Sequence, residues 1–337
     1  MPADSYGERL GELLAQFPAC RILVVGDLML DEFIWGKVSR ISPEAPVPVV
    51  DVTGESYYAG GAANVARNLR EFTAHVALMG MAGTDGAGDL LLSLLESAGI
   101  DTAGVQRDAA LRTTMKTRII ARNQQVVRVD REQKPVMTEA QTGRAIEQLN
   151  GMMAGADGIV VADYGKGFVT QPLASHLCRS ARAQNKILAV DPHPHTAISW
   201  SGATVIKPNR LEAFLAARLP PTEPVTPVLD DRALLEAGRR LRQLWQARNL
   251  LITLGENGML LLEGDGAASH IPTRARDVFD VSGAGDTAIA VLTLSLAAGA
   301  TPAEAAELAN RASGIAVGKL GTATVTAAEL AASCQSR

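Results

Sequence analysis

A chain of 337 residues with 47% hydrophobic and 20% charged residues has the composition of a core-forming soluble protein, long enough for one large or two ordinary domains. A net charge of −4 and an aromatic content of 4% supply neither the basic field nor the stacking surface that nucleic acid needs, so that class of partner is excluded. Cys20, Cys178 and Cys334 are odd in number and far apart, with no CxxC spacing, which argues against a disulfide framework and against a zinc cluster.

The N-terminal stretch "MPADSYGERLGELLAQF" carries Asp4, Glu8 and Glu12 and lacks the basic and apolar regions of a secretory signal. Short apolar runs ending in small or acidic residues follow: "RILVVGD" (21–27), "HVALMGMAG" (75–83), "GIVVAD" (158–163), "KILAVD" (186–191), "ATVIKPN" (203–209) and "NLLITLG" (249–255). These read as strands. Helical patterns lie between them at 61–72, 86–98, 139–153, 171–184 and 231–246. Apolar strands alternating with amphipathic helices predict an α/β fold, a parallel sheet covered on both faces. Ligands of such sheets gather at the carboxyl ends of the strands, where Asp27, Asp163, Asp191 and Asn209 fall.

Two segments break this rhythm. Residues 31–52, rich in proline and glycine, read as extended edge strands and turns. Residues 112–130 alternate, with Lys116, Arg118 and Arg122 on one face and Met115, Thr117, Ile119 and Ala121 on the other; this predicts a hairpin turning near 123–125. Together, over about 32–52 and 112–130, they are expected to form a small β-lid on a single domain spanning 1–337. The proline-rich stretch 217–231 reads as a surface loop. The longest apolar run, residues 288–300, is shorter than the roughly 20 residues a membrane span requires, so it reads as a buried helix and the expected location is the cytoplasm.

The chemistry concentrates in "DVSGAGDT" (280–287). Gly283 and Gly285 let backbone N–H groups close on an anion at the mouth of a helix, where a carboxylate, Asp286, would compete with it. "GAGDTA" also fits the letters of a dinucleotide fingerprint, but it lies late in the chain rather than in a first β–α turn. The carboxylate is useful if it takes a proton from a nucleophile attacking the anion, as in phosphoryl transfer. No G-x-x-x-x-G-K-[ST] motif occurs, so the phosphate donor is not held by a Walker loop.

With these elements in place the chain resembles the ribokinase-like (PfkB) carbohydrate kinases over nearly its whole length. "YYAGGAANVARNLREF" (57–72) is similar to the family's N-terminal signature, "DVFDVSGAGDTAIAVL" (277–292) to its C-terminal one, and "KPNRLE" (207–212) to its N-x-x-E element. The resemblance implies a three-layer sandwich with a β-lid, ATP as donor, Mg²⁺, and a homodimer built through the lids. Within the family, residues 26–52 and 160–169 resemble the kinases that phosphorylate the anomeric hydroxyl of D-glycero-D-manno-heptose 7-phosphate on the route to ADP-heptose and lipopolysaccharide. Many of those are fused to a nucleotidyltransferase. A chain ending at Arg337 is expected to be the stand-alone form.

The resemblance implies Asp286 as the base on the sugar hydroxyl, with an anion hole at Gly283, Ala284 and Gly285. A place at a helix N-terminus is expected to keep Asp286 ionised at neutral pH. Asn209 and Glu212 would organise Mg²⁺ through water together with the donor phosphates; read alone, they are an N-cap asparagine and a first-turn glutamate. Thr253, Gly255, Gly258 and Asn310 would form the nucleoside pocket. Asp27, Asp31, Gly60, Gly61, Asn64 and Asp163 would meet the sugar, and Lys116, Arg118, Arg122 and Lys166 are candidates for a clamp on the 7-phosphate. Asp280 and Ser282 align with a monovalent-cation site of some relatives; His193 and His195 read as loop residues rather than a metal pair. Two alternatives stay open: another kinase of the family acting on a sugar phosphate or nucleoside, and a catalytically silent sugar-binding regulator.

Overall fold

Strands that are apolar along their whole length can be buried only when both faces of their sheet are covered. The computed structural model describes residues 3–335 except 123, 135, 265, 276, 277 and 320, and of residues 3–5 the backbone alone. In chain order its strands are β1 (Ile22–Gly26), β2 (Leu28–Ile41), β3 (Pro48–Gly61), β4 (Val76–Gly83), β5 (Asp101–Asp108), β6 (Thr114–Ala121), β7 (Gln124–Arg131), β8 (Gly158–Ala162), β9 (Ile187–Asp191), β10 (Val205–Ile206), β11 (Asn249–Thr253), β12 (Met259–Leu262) and β13 (Ala268–Ile271). One sheet of nine strands has the order β13-β12-β11-β10-β9-β8-β1-β4-β5, parallel from β5 to β11 and antiparallel in its last two pairs.

Every residue of β1 and β8 is buried, and successive side chains enter opposite cores. Ile22 and Val24 join one cluster with the helices Ala62–Arg70, Ala284–Ala297 and Pro302–Ala316. Leu23 and Val25 join the other, with the helices Glu139–Met153, Gln171–Ala183 and Arg232–Trp245. The helix Ala284–Ala297 is buried at every position from Thr287 to Leu296, as an all-round apolar sequence requires. Among the described residues no helix is long and apolar enough to cross a membrane.

A second sheet, of order β3-β2-β6-β7, stands apart from the first. The predicted hairpin is there as antiparallel β6 and β7, although Asn123 of the expected turn lies outside the described residues. The structure corrects two expectations. The sheet reaches from Leu28 to Gly61 rather than 32–52, because β3 continues back along β2 to pair Gly61 with Leu28. Moreover β2 is not an edge strand, since it pairs with β3 on one side and, in parallel, with β6 on the other. β5, β12 and β13 were not anticipated from the sequence.

β1 and β8 lie so close at their carboxyl ends that a side chain at Gly26 would start 2.1 Å from the carbonyl oxygen of Ala162. Gly26→Ala is therefore expected to lower stability by about 1–3 kcal/mol or more, an overpacking penalty measurable by urea unfolding. A variant within ~0.5 kcal/mol of the parent would contradict this contact.

Candidate active site

Because the strands from β1 to β11 in the large sheet run in parallel, their carboxyl ends share one edge. Asp27 follows β1, Asp163 follows β8, Asp191 closes β9, and Asn209 bridges to Thr253 at the end of β11. The helix Ala284–Ala297 begins beside them. Its N-cap, Gly283, has φ 79°, a left-handed conformation that favours glycine.

Asp286 lies in the first turn of that helix and is clamped on both carboxylate oxygens. Asn64 Nδ2 donates to Oδ2 at 2.7 Å, and the Tyr164 hydroxyl donates to Oδ1. Sequence reasoning leaned on the helix N-terminus to keep this group acidic. In the structure burial dominates and pushes its pKa up to about 6, against the pull of Tyr164 and Asn64. The carboxylate is still mainly ionised at pH 7. Tyr164 is held far above its ordinary value, by burial first and then by Asp286, so it serves only as a donor. Of the expected anion hole, the Ala284 N–H turns back to Val281 O at 3.3 Å. The Gly285 amide, next along, belongs to the first-turn donors that a helix leaves without intrahelical acceptors.

Tyr164 is placed by Asp27. The Asp27 carboxylate accepts from the main-chain N–H groups of Tyr164 (2.9 Å), Lys166 (3.0 Å) and Phe168 (3.0 Å), and the residue is 2% exposed. Its expected contact with sugar hydroxyls is thus replaced by a different task, holding the loop after β8. Burial raises its pKa even against these three donors. Asp163 is corrected in the same way: it accepts from Gly165 N at 2.8 Å and from the Thr196 hydroxyl at 2.6 Å, inside the loop rather than toward a ligand.

The lid register sets Asp31 beside Lys116, and Phe33 beside Arg118, on one face. Arg118 forms an ion pair with Asp31 and lies over the Phe33 ring at 5.2 Å. Gly60 is needed there, because a side chain would start 2.3 Å from Asp31 Oδ2. Burial lowers the pKa of Lys116, which lies between Asp31 and Asp130 on the neighbouring strands and feels the charges of Lys166 and Arg118. Lys166 is paired with Glu132. Arg122 leaves the group: it lies beyond the end of β6 with φ 50°, and its Nη2 donates to Val38 O at 3.1 Å. Gly61, at φ 61°, caps the helix Ala62–Arg70 that carries Asn64.

On the other side of Asp286, a cavity of about 540 Å³ brings together Thr253, Gly255, Gly258 and Asn310 and extends to Ala284 and Gly285. Gly258, at φ 79°, lies so close to the end of β13 that a side chain would start 2.1 Å from Ile271 O. Asn310 lines the cavity while its Nδ2 holds Pro272 O at 2.7 Å. Asn209 and Glu212 form a capping box: Asn209 Oδ1 accepts from Glu212 N at 2.9 Å, and Glu212 Oε2 accepts from Asn209 N at 2.7 Å. That cap ties up one oxygen of each group expected to organise Mg²⁺. Asp280 accepts from Ser282 N and Gly321 N, which fixes the loop ahead of the helix.

Sequence reasoning gave no role to Tyr164, Asp191 or Lys207. Lys207 Nζ lies 3.0 Å from Asp191 Oδ2, and burial pushes the Asp191 pKa up to about 6 although Lys207 opposes it. Asp191 was visible as a strand-end acid, and Tyr164 and Lys207 stood inside the quoted stretches 160–169 and 207–212.

A carboxylate poised over a helix N-terminus, with a nucleoside-sized cavity on one side and a cationic face on the other, defines a phosphotransferase site. The family model of the pfkB family carbohydrate kinases matches residues 20–329, and the chain belongs to that family. It is 44% identical over 319 residues to the "Bifunctional protein HldE" of Desulfatibacillum aliphaticivorans, and 44% identical over 321 residues to the protein of that name from Geobacter sulfurreducens. Each alignment covers 95% of this chain and 64% of the relative, so the chain spans less than two thirds of those proteins. Its fold is that of Arabidopsis thaliana ribokinase complexed with ribose and ATP (TM-score 0.71, 15% identity, 94% of this chain and 99% of that one). It is also that of Escherichia coli phosphofructokinase-2 in complex with substrates and products (TM-score 0.74, 19% identity, 94% and 98%). The architecture is therefore ribokinase-like.

Ionised Asp286 is the form able to accept a proton, so turnover is expected to fall as pH drops through about 6. The Tyr164 bond favours that ionised form. Tyr164→Phe should move the acid limb of the kcat profile up by roughly half to one unit, the equivalent of a ~1 kcal/mol hydrogen bond. An unmoved limb would remove Tyr164 from control of Asp286.

Proposed function

We propose that the chain transfers the γ-phosphoryl group of ATP to the anomeric O1 of D-glycero-D-manno-heptose 7-phosphate. The product is heptose 1,7-bisphosphate, a precursor of ADP-heptose for the lipopolysaccharide core. The observation that carries this reading is the lid face on which Arg118 pairs with Asp31 beside Lys116, with Lys166 on the loop after β8 close enough for Lys116 to feel its charge. A sugar phosphate can take the place of the carboxylates that these cations hold; a neutral sugar cannot. The resemblance of residues 26–52 and 160–169 to heptose 7-phosphate kinases supports the same substrate.

In this reading Asp286 takes the proton of the O1 hydroxyl as O1 bonds to the γ-phosphorus. The bond from that phosphorus to the β-phosphate bridge breaks in line, and ADP leaves. Asn64 Oδ1 is buried with no partner among the described residues, which suits it to receive a sugar hydroxyl while Nδ2 holds the base. The first-turn amide of Gly285 and the helix N-terminus favour the charge that develops on the phosphoryl oxygens. Asn209 and Glu212, held in their capping box, would orient the water around an ion bound chiefly by phosphate oxygens. Mg²⁺ bound there would neutralise donor-phosphate charge.

The partner we propose is a second copy of the chain. The lid leaves Ile41, Val52, Val127 and Val129 exposed, and its outer strands β3 and β7 each pair on one side only. Light scattering is expected to give twice the chain mass, and Val129→Glu to reduce it to one. A wild-type protein that is monomeric at micromolar concentration would overturn the dimer.

Asp286→Asn should keep nucleotide binding and lose roughly 10³-fold or more in kcat, as expected when a positioned base is removed. Product mass spectrometry across heptose 7-phosphate, fructose 6-phosphate, ribose and adenosine tests the substrate. Comparable rates on the last three would defeat the heptose assignment, and near-normal kcat in Asp286→Asn would defeat the base.

A further inference from the structure

Neither the sequence reading nor the proposed reaction employs Lys207, and its position is unusual for a lysine. It follows β10, its main-chain N–H donates to Val190 O at 2.8 Å, and the residue is 3% exposed. Enclosing an ammonium this fully is unfavourable by several kcal/mol unless its charge is used. Asp191 is its carboxylate partner within ion-pair distance among the described residues. An ammonium has three N–H donors, and one carboxylate contact leaves capacity for more.

Its place in the site is fixed by two further observations. Lys207 Nζ lies 3.6 Å from the point where a side chain at Gly285 would start, so the ammonium borders the first turn of the helix Ala284–Ala297. Gly285 itself lines the nucleotide cavity, and Asp286 next to it feels the charge of Lys207. The lysine therefore borders the turn that carries the amide that would face the phosphoryl group and, at the next residue, the carboxylate that would receive the proton. The three equatorial oxygens of a phosphoryl group in flight carry spread negative charge, and one helix amide is a small counterweight to it.

We propose that Lys207 is a catalytic residue whose ammonium, held by Asp191 when the site is empty, contacts the oxygens of the phosphoryl group during transfer. This rests on the phosphoryl-transfer reading but not on the heptose. Asp191 serves as its counter-ion, and the proton stays on nitrogen throughout, so the step adds no acid–base event to the proton transfer at Asp286.

The test compares Lys207→Met and Lys207→Arg with the full-length parent, in steady-state kinetics and in calorimetric binding of two probes. These are ADP with Mg²⁺, and ADP with Mg²⁺ and aluminium fluoride in the presence of the sugar phosphate. Lys207→Met should lose roughly 10²–10³-fold in kcat, as when one charge-stabilising donor is removed, while KM for the sugar phosphate changes by less than about threefold. ADP affinity should hold while the added affinity conferred by aluminium fluoride collapses. Lys207→Arg, which keeps the charge, should recover part of both. A Lys207→Met protein with kcat within about threefold of the parent, or with the aluminium fluoride gain intact, overturns the proposal. If Lys207→Met does not fold, the same measurements on Lys207→Arg and Lys207→Gln decide it, parent-like values in Lys207→Gln being the overturning result. Should the parent phosphorylate another sugar phosphate and not the heptose, the substrate reading fails alone, and the Lys207 comparison is made on the accepted sugar.

Discussion

Both donors that orient Asp286 depend on one residue, Asp27. Its carboxylate fastens the loop after β8 through three main-chain N–H groups, and the first of these belongs to Tyr164. Its carbonyl oxygen accepts from Ala62 N at 3.0 Å, at the start of the helix that carries Asn64. A buried carboxylate satisfied by backbone donors is rigid, because releasing it leaves both a charge and several N–H groups without partners in a low-dielectric interior. The strand end at Asp27 thus transmits the position of the sheet to both oxygens of Asp286. Gly61 permits this closeness, since a side chain there would start 2.7 Å from Asp27 O.

The same loop joins the base to the lid. Two residues beyond Tyr164, Lys166 turns to Glu132 just after β7, and its charge is felt by Lys116 on β6. Arg118 on the same strand also reaches far enough to act on Asp280, in the loop ahead of the Asp286 helix. With no anion bound, Arg118 and Lys166 rest on Asp31 and Glu132. Such pairs keep partly enclosed cations from being stranded, and they set a threshold: a bound phosphate must offer each cation more than its carboxylate does.

Local patterns carried most of the fold. β1, β4, β8, β9 and β11 were readable because each is a short apolar run closed by a small or acidic residue, and the helices between them keep one apolar stripe. β12 and β13, four residues each and antiparallel at the edge, have too little length for a pattern to emerge. Arg122 was misplaced because alternation in a sequence does not stop where a strand does; the backbone turns left-handed there and removes the residue from the face. Asp286 was legible because the glycines that open its helix are its neighbours. Tyr164 was not, since its contact with Asp286 spans 122 residues and nothing local to "DYGKG" reveals it. Asp27 shows the limit most plainly. An acid at a strand end is a ligand or a loop anchor according to which N–H groups come within reach, and that is decided by a loop 137–141 residues further on.

Charge in the site is unbalanced in a way that explains its chemistry. Asp191 and Asp286 both have their pKa values pushed up to about 6, by burial first, and Asp191 raises Asp286 further while Glu212 raises Asp191. One ammonium, Lys207, offsets both. An arriving polyphosphate would worsen this balance unless it brought positive charge of its own. With burial set against Tyr164, Asn64 and Lys207, Asp286 stands within about one pH unit of protonation at neutrality. A carboxylate with a pKa of about 6 is a weak base, so if Asp286 takes the proton, as we propose, its contribution to transfer is the fixed orientation imposed by Asn64 and Tyr164 rather than basicity.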